Sequence, residues 1–251
     1  MTKIPFAVEM YSVRKEFTEN PLETMRAIKE MGYTGVEFAG RPQFCAEFYA
    51  GLLAETGLVC CGWHTPWDLV NQPEALQETI RLNQKVGNTN IIVPWLPAET
   101  VADWEQRAIE LNGIAETLAP LGMHTGYHNH NREFAMVDGV TPWDAFMGKA
   151  DPAVVMQLDL GNALSGGCDI MGTLNRYPGR CRTIHLKPFH TDPAKAFLPI
   201  IGEDSVPWKD VFEFCETKGR TEWYVIEYEC PELPALEAVK RCLDGAKAIQ
   251  G

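Results

Sequence analysis

Four short apolar runs in this sequence end in side chains that bind metals or move protons. Val155-Met156-Gln157-Leu158 runs into Asp159 and then turns at Gly161. Gly126-Tyr127 leads to His128 and His130. Thr183-Ile184 leads to His185 and Lys187, which lie two residues apart and therefore on one side of a strand. Tyr224-Val225-Ile226 ends in Glu227. A buried charge is costly unless it is paired or bound to a metal, so four such endings point to a shared site rather than to core packing. Asp159, His185 and Glu227 come from consecutive strands. An imidazole with carboxylates is a mixed nitrogen and oxygen donor set, which suits one divalent Mn, Zn, Co or Mg ion better than a thiolate metal. Glu9, Glu37 and His64 stand at comparable strand ends.

The elements that must position these groups recur along the chain. Ile4–Met10 reads as a first strand, followed by a loop over Tyr11–Arg14. Pro21 opens a helix with Leu22, Met25 and Ile28 on one face, and Gly32 suits its left-handed end. The same unit of helix, capping glycine and strand returns at Gly57, Gly87, Gly122 and Gly219. Val101, Trp104, Ala108, Leu111, Ile114, Ala115 and Leu118 form an apolar stripe at helical spacing. Strands are expected at 35–38, 58–64, 90–94, 123–128, 152–160, 182–186 and 223–228. Further helices are expected at 141–147, 170–177, 207–217 and 233–249. Alternating strands and helices imply parallel pairing with right-handed crossovers. Eight such units in 251 residues, with no linker or composition break, predict a (β/α)8 TIM barrel as a single domain over 1–251. No GxGxxG follows the first strand, which argues against an open dinucleotide-binding sheet.

Composition narrows the function classes. The net charge is −12, from 22 basic and 34 acidic residues, which argues against a nucleic-acid partner, whose phosphates need Lys and Arg. No apolar run approaches the length of a membrane helix. The eight cysteines contain no CxxC and read as reduced thiols of a cytoplasmic chain. The opening Met1-Thr2-Lys3-Ile4-Pro5-Phe6 lacks the apolar core of an export signal.

With these residues in view, the chain resembles the xylose isomerase-like barrels known as sugar phosphate isomerases/epimerases. The marks are Met10-Tyr11-Ser12-Val13-Arg14, Tyr127-His128-Asn129-His130, Leu158-Asp159-Leu160-Gly161-Asn162, Ile184-His185-Leu186-Lys187 and Glu227. The resemblance implies one metal ion held by residues from strands five to eight, of which Asp159, His185 and Glu227 match directly. Where ketose epimerases of this kind carry the first glutamate ligand, this chain has His128. Glu133, in Asn131-Arg132-Glu133, and His130 are the other candidates for that place.

The resemblance also implies proton abstraction next to a carbonyl, with the metal polarising the substrate oxygens. Glu227 and Glu133 are then the expected acid–base groups, and Lys187 the group facing the developing oxyanion. Glu37, His64, His130 and Asn162 are expected to bind sugar hydroxyls, with Trp63 or Trp95 stacking on a sugar face. Gly166-Gly167 is a weak signal for a phosphate. The expected partner is a small carbohydrate, and self-association as a homo-oligomer stays open. The same site could run a dehydration, as in inosose dehydratases of similar sequence, or merely bind a sugar. A DNA-repair endonuclease fits the charge poorly.

Overall fold

A computed structural model describes residues 3–251. Its strands are β1 Phe6–Glu9, β2 Gly35–Ala39, β3 Val59–His64, β4 Asn90–Val93, β5 His124–His128, β6 Val155–Gln157, β7 Thr183–Leu186 and β8 Trp223–Ile226. Its α-helices are α1 Arg14–Glu19, α2 Pro21–Met31, α3 Ala46–Thr56, α4 Pro73–Lys85, α5 Val101–Leu118, α6 Pro142–Lys149, α7 Leu160–Ser165, α8 Ile170–Arg176, α9 Trp208–Phe214 and α10 Ala235–Gln250. Neighbouring strands run β6-β5-β4-β3-β2-β1-β8-β7, all parallel. Since β1 pairs with both β2 and β8, the sheet curls into a nearly closed barrel, the expected (β/α)8 fold. Across the last seam, Met156 N donates to Arg180 O at 2.8 Å and His185 N to Leu158 O at 3.0 Å. An isolated parallel bridge there joins Asp159 to His185.

Alternation along each strand separates chemistry from packing. On β5 the Tyr127 ring packs outward against Trp104, Trp143 and Phe146, whereas His128 faces His64 and His185 inside the barrel. The α5 stripe is buried from Trp104 to Leu118. Its start is fixed by Thr100 and Asp103, whose side chains cap each other's backbone N–H. Gly32 and Gly122 end their helices at φ 96° and 68°, a region closed to most side chains.

Three local expectations need correction. The segment after β1 is helical rather than a loop, with a 3-10 turn over Met10–Val13 leading into α1. The sixth strand stops at Gln157, well short of Leu160. Asp159 Oδ1 instead accepts from Asn162 N at 2.6 Å and starts α7, a capping role that competes with continued strand pairing. Before β8 the helix widens into a π turn over Cys215–Gly219, so the left-handed residue is Arg220, at φ 54°, and not Gly219.

Gly126 lies opposite Val155 in the β5–β6 register, and a Cβ there would be driven into Val155 O and Cβ. Gly126→Ala is expected to lower stability by about 1–3 kcal/mol, the usual range for overpacking. A reduced urea midpoint at unchanged slope would register it.

Candidate active site

Inward-facing residues at the C-terminal ends of β5–β8 meet at one point. Ligand atoms of His128, Asp159, His185 and Glu227 all lie within 4.8 Å of one another, and all four residues are buried. Asp159 Oδ2 stands 4.0 Å from His128 Nε2 and 4.0 Å from His185 Nδ1. His185 Nδ1 lies 2.7 Å from Glu227 Oε2. Lys187, on the same strand face as His185, donates to Glu227 Oε1 at 3.0 Å and also pairs with Glu229. Asp159 Oδ2 and His128 Nδ1 are buried without a hydrogen-bond partner among the described residues. Unpaired buried donor atoms on convergent side chains are what a bound cation would satisfy, so the residues fit a divalent metal.

A second row supports the first. Glu37 Oε2 lies 2.6 Å from His185 Nε2, so His185 is held by carboxylates on both ring nitrogens. Gln157 Nε2 donates to Glu37 Oε1 at 2.9 Å and to Thr183 Oγ1 at 2.8 Å. Gln157 Oε1 lies 2.6 Å from His64 Nε2. Gly62 leaves the space that the Glu37 carboxylate fills, beside an irregularity in the β2–β3 register at Val36 and Glu37. Burial would depress His185, but Glu37 and Glu227 outweigh it and raise its pKa well above the ordinary range. Burial likewise opposes ionisation of Glu227, yet Lys187 and His185 hold it well below the usual carboxylate range. Asp159 is pushed up to about 7 by burial, against the pull of Lys187. His128 is driven well below its usual value by burial and then by His185 and His64, so it is neutral and able to act as a ligand.

Two of the four, His128 and Glu227, line a cavity of about 1070 Å³, whereas Asp159 and His185 are fully buried and are not part of its lining. His64, His128, His130, Asn162, Lys187, Glu227 and Glu229 line it, together with Glu9 and a rim that includes Tyr11, Arg14, Arg41, Phe197 and Tyr228.

Not every expected residue reaches this cavity. Glu133 is buried behind β5, where it accepts from Tyr127 Oη at 2.6 Å, His130 N at 2.8 Å and Arg132 Nε at 3.1 Å. The Tyr127 phenol that it bonds lies on the outer face of β5, and Glu133 is not among the residues that line the cavity. Glu37 is fully buried beneath His185 and does not line the cavity. Trp63 packs against Phe38 and Tyr49 and donates to Gly40 O. Trp95 carries the Arg132 guanidinium on its ring, 3.6 Å from the centroid, and lies outside the cavity lining, as do Gly166 and Gly167. Gln157 has no role in the sequence reading. Its signal was available, since Gln157 and Asp159 share a strand face across Leu158.

The model of the Xylose isomerase-like TIM barrel family matches residues 25–248. The chain belongs to that family. It is similar to the inosose dehydratase of Geobacillus thermodenitrificans (strain NG80-2), at 28% identity over 152 residues, covering 53% of this chain and 49% of the relative. An inosose dehydratase of Lacticaseibacillus casei is 25% identical over 149 residues, with the same coverage. The chain thus spans about half the length of these curated relatives. The crystal structure of a sugar phosphate isomerase/epimerase from Parabacteroides distasonis ATCC 8503 superposes with a TM-score of 0.79 at 20% identity, covering 100% of this chain and 95% of that one. An L-ribulose 3-epimerase superposes at 0.75 and 14% identity, covering 98% and 94%. At these identities the structural matches speak for the fold. No helix among the described residues is long and apolar enough to cross a membrane.

Because Glu133 gathers three donors in the core, Glu133→Gln is expected to destabilise the protein by about 1–3 kcal/mol through mismatched buried hydrogen bonds. Metal content, measured by elemental analysis of the variant, should equal that of the wild type.

Proposed function

We propose that this chain is a divalent-metal-dependent isomerase or epimerase of a sugar or keto-sugar, working by proton abstraction next to a carbonyl. The observation that carries the reading is the convergence of His128, Asp159, His185 and Glu227, two of which, His128 and Glu227, open on the cavity, with Lys187 against Glu227. His128, Asp159, His185 and Glu227 would hold the ion, His185 only once the ion displaces the proton that Glu37 and Glu227 favour on its ring, with His128 in the place that epimerases of this kind give to a glutamate. When bound, a divalent ion polarises the carbonyl and neighbouring hydroxyl oxygens of the substrate.

The chain's own groups supply the remainder. Glu227 is held ionised by Lys187 and His185, so it enters the reaction ready to accept the proton on the carbon beside the carbonyl. Lys187, buried and kept charged by the surrounding carboxylates, faces the oxygen on which negative charge then develops. His130 and Asn162 line the cavity where substrate hydroxyls would lie. Glu37 and Gln157 fix the ring of His185 from below, which sets the nitrogen it presents to the cluster.

A second reading is dehydration of a keto-inositol or related keto-sugar. It is favoured by the relatives named inosose dehydratase. It is also favoured by the position of Glu133, which does not line the cavity and so does not pair with Glu227 as the second base that a two-base epimerisation uses. A proton removed and returned on one face, or removed with loss of a hydroxyl, needs only one such group.

Asp159→Ala is expected to abolish tight metal binding, read by elemental analysis. In the wild type the affinity should weaken as pH falls below about 7, because protons compete for Asp159. The change is roughly tenfold per pH unit for each proton displaced. A flat profile between pH 8 and 6 would remove Asp159 from the donor set. Glu227→Gln is expected to slow substrate proton exchange in deuterated water by roughly 10²-fold or more. In the same NMR experiment, deuterium uptake without loss of water marks the isomerase or epimerase, and loss of water marks the dehydratase.

A further inference from the structure

The cation cluster occupies the half of the barrel mouth built by β5–β8. The opposite half, β1–β3, carries Glu9, Glu37 and His64. Two of these are committed, Glu37 to His185 and Gln157, and His64 to Gln157. Glu9 is different. It is the last residue of β1 and only 1% exposed, and neither of its carboxylate oxygens accepts a hydrogen bond from an N–H or hydroxyl among the described residues; the neighbouring Glu37 carboxyl is the group with which it can share a proton. His64 Nδ1 lies 3.7 Å from Glu9 Oε1, beyond hydrogen-bond distance. Yet Glu9 lines the cavity floor together with His128, Lys187 and Glu227.

A buried carboxylate left unpaired lowers stability and contributes nothing to packing that an apolar side chain would not supply better. Such a group, in the wall of a cavity, is completed by a partner that arrives from the cavity. The carboxylates of Glu37 and Glu227 act on Glu9 from nearby, and Glu229 lines the same cavity. An anion is therefore repelled from this wall. A neutral donor such as a hydroxyl fits, and so does a cation, since Glu9 also forms with Glu37, His64 and His185 a buried group whose ligand atoms lie within 4.8 Å of one another; the metal content of the variants below separates the two.

We propose that Glu9 is a substrate-binding residue, hydrogen-bonded to a hydroxyl on the uncharged face of a polyol that lies between β1–β3 and the cation cluster. The inference rests on the sugar-directed function proposed above and sharpens its substrate class. The end of the molecule seated in the barrel is neutral and hydroxylated, and any phosphate or carboxylate substituent points away from this wall.

The test uses the full chain loaded with Mn(II), with myo-inositol as the neutral probe and glucose 6-phosphate as the anionic one. Glu9→Met keeps the unbranched shape and removes the polar end, while Glu9→Gln keeps a polar end. Both variants are expected to hold Mn(II) as the wild type does. By calorimetry, Glu9→Met should bind myo-inositol roughly tenfold or more weakly, with Glu9→Gln recovering most of the loss. Without polyol, Glu9→Met should melt at a higher temperature than the wild type, since an orphaned buried carboxylate is gone. A purely structural Glu9 gives the opposite signs, a lower melting temperature with unchanged polyol binding, and that result overturns the proposal. Loss of Mn(II) in both variants overturns it too, since Glu9 would then belong to the cation site. So does a wild type that binds glucose 6-phosphate and ignores myo-inositol. If the wild type takes up no Mn(II) but Glu9→Met still loses the polyol, the role of Glu9 stands and the metal-dependent reading falls.

Discussion

The imidazole of His185 is gripped at both nitrogens, by Glu37 at 2.6 Å and by Glu227 at 2.7 Å, and the barrel mouth is arranged around that grip. A doubly bonded ring cannot rotate, and the carboxylates favour its charged form. Four buried carboxylates, Glu9, Glu37, Asp159 and Glu227, crowd one barrel end, and the positive groups among them are His185 and Lys187. Glu37 and Glu227 are the ionised carboxylates that face these two cations, while burial first, and neighbouring carboxylate charge after it, makes Asp159 and Glu9 hold protons more tightly than free carboxylates do.

Around that centre, the period of two along each strand sorts residues into separate tasks. Tyr127 and His128 are adjacent in sequence and serve opposite faces, one among tryptophans and the other among imidazoles. Glu133 follows Tyr127 to the outer face, because its best donor is the phenol. The glycines are placed by the same logic. Gly62 stands where the Glu37 carboxylate needs room, and Gly161 where the Lys187 backbone crosses α7.

Much of this was legible in the sequence. Apolar runs of strand length, each preceded by a helix and glycine, specify the barrel, and polar residues at their C-terminal ends mark where titratable side chains gather. Asp159, His185, Lys187 and Glu227 could be read because each interrupts an apolar strand and so needs a compensating partner. The destinations of Glu37 and Glu133 could not be read. Both are acidic residues near strand ends, and only three-dimensional packing decides that one lies beneath a histidine and the other behind a tyrosine. The end of β6 was misjudged for a related reason. Val155–Leu160 is apolar enough to continue as a strand, and only the cap made by Asp159 turns it into a helix. Glu9 sat in plain view at a strand end, but its lack of an N–H or hydroxyl donor among the described residues is a fact of geometry alone.

The seam between β6 and β7 is where the barrel's own hydrogen bonding is thinnest, and Asp159 and His185 face each other across it. A group held between those two side chains therefore works as a clasp on the cylinder as well as a ligand in a pocket. Its binding free energy adds to the closure of the ring, by the same linkage that makes any native-state ligand a stabiliser. For the proposed cation, occupancy of the site and closure of the ring would then be one equilibrium.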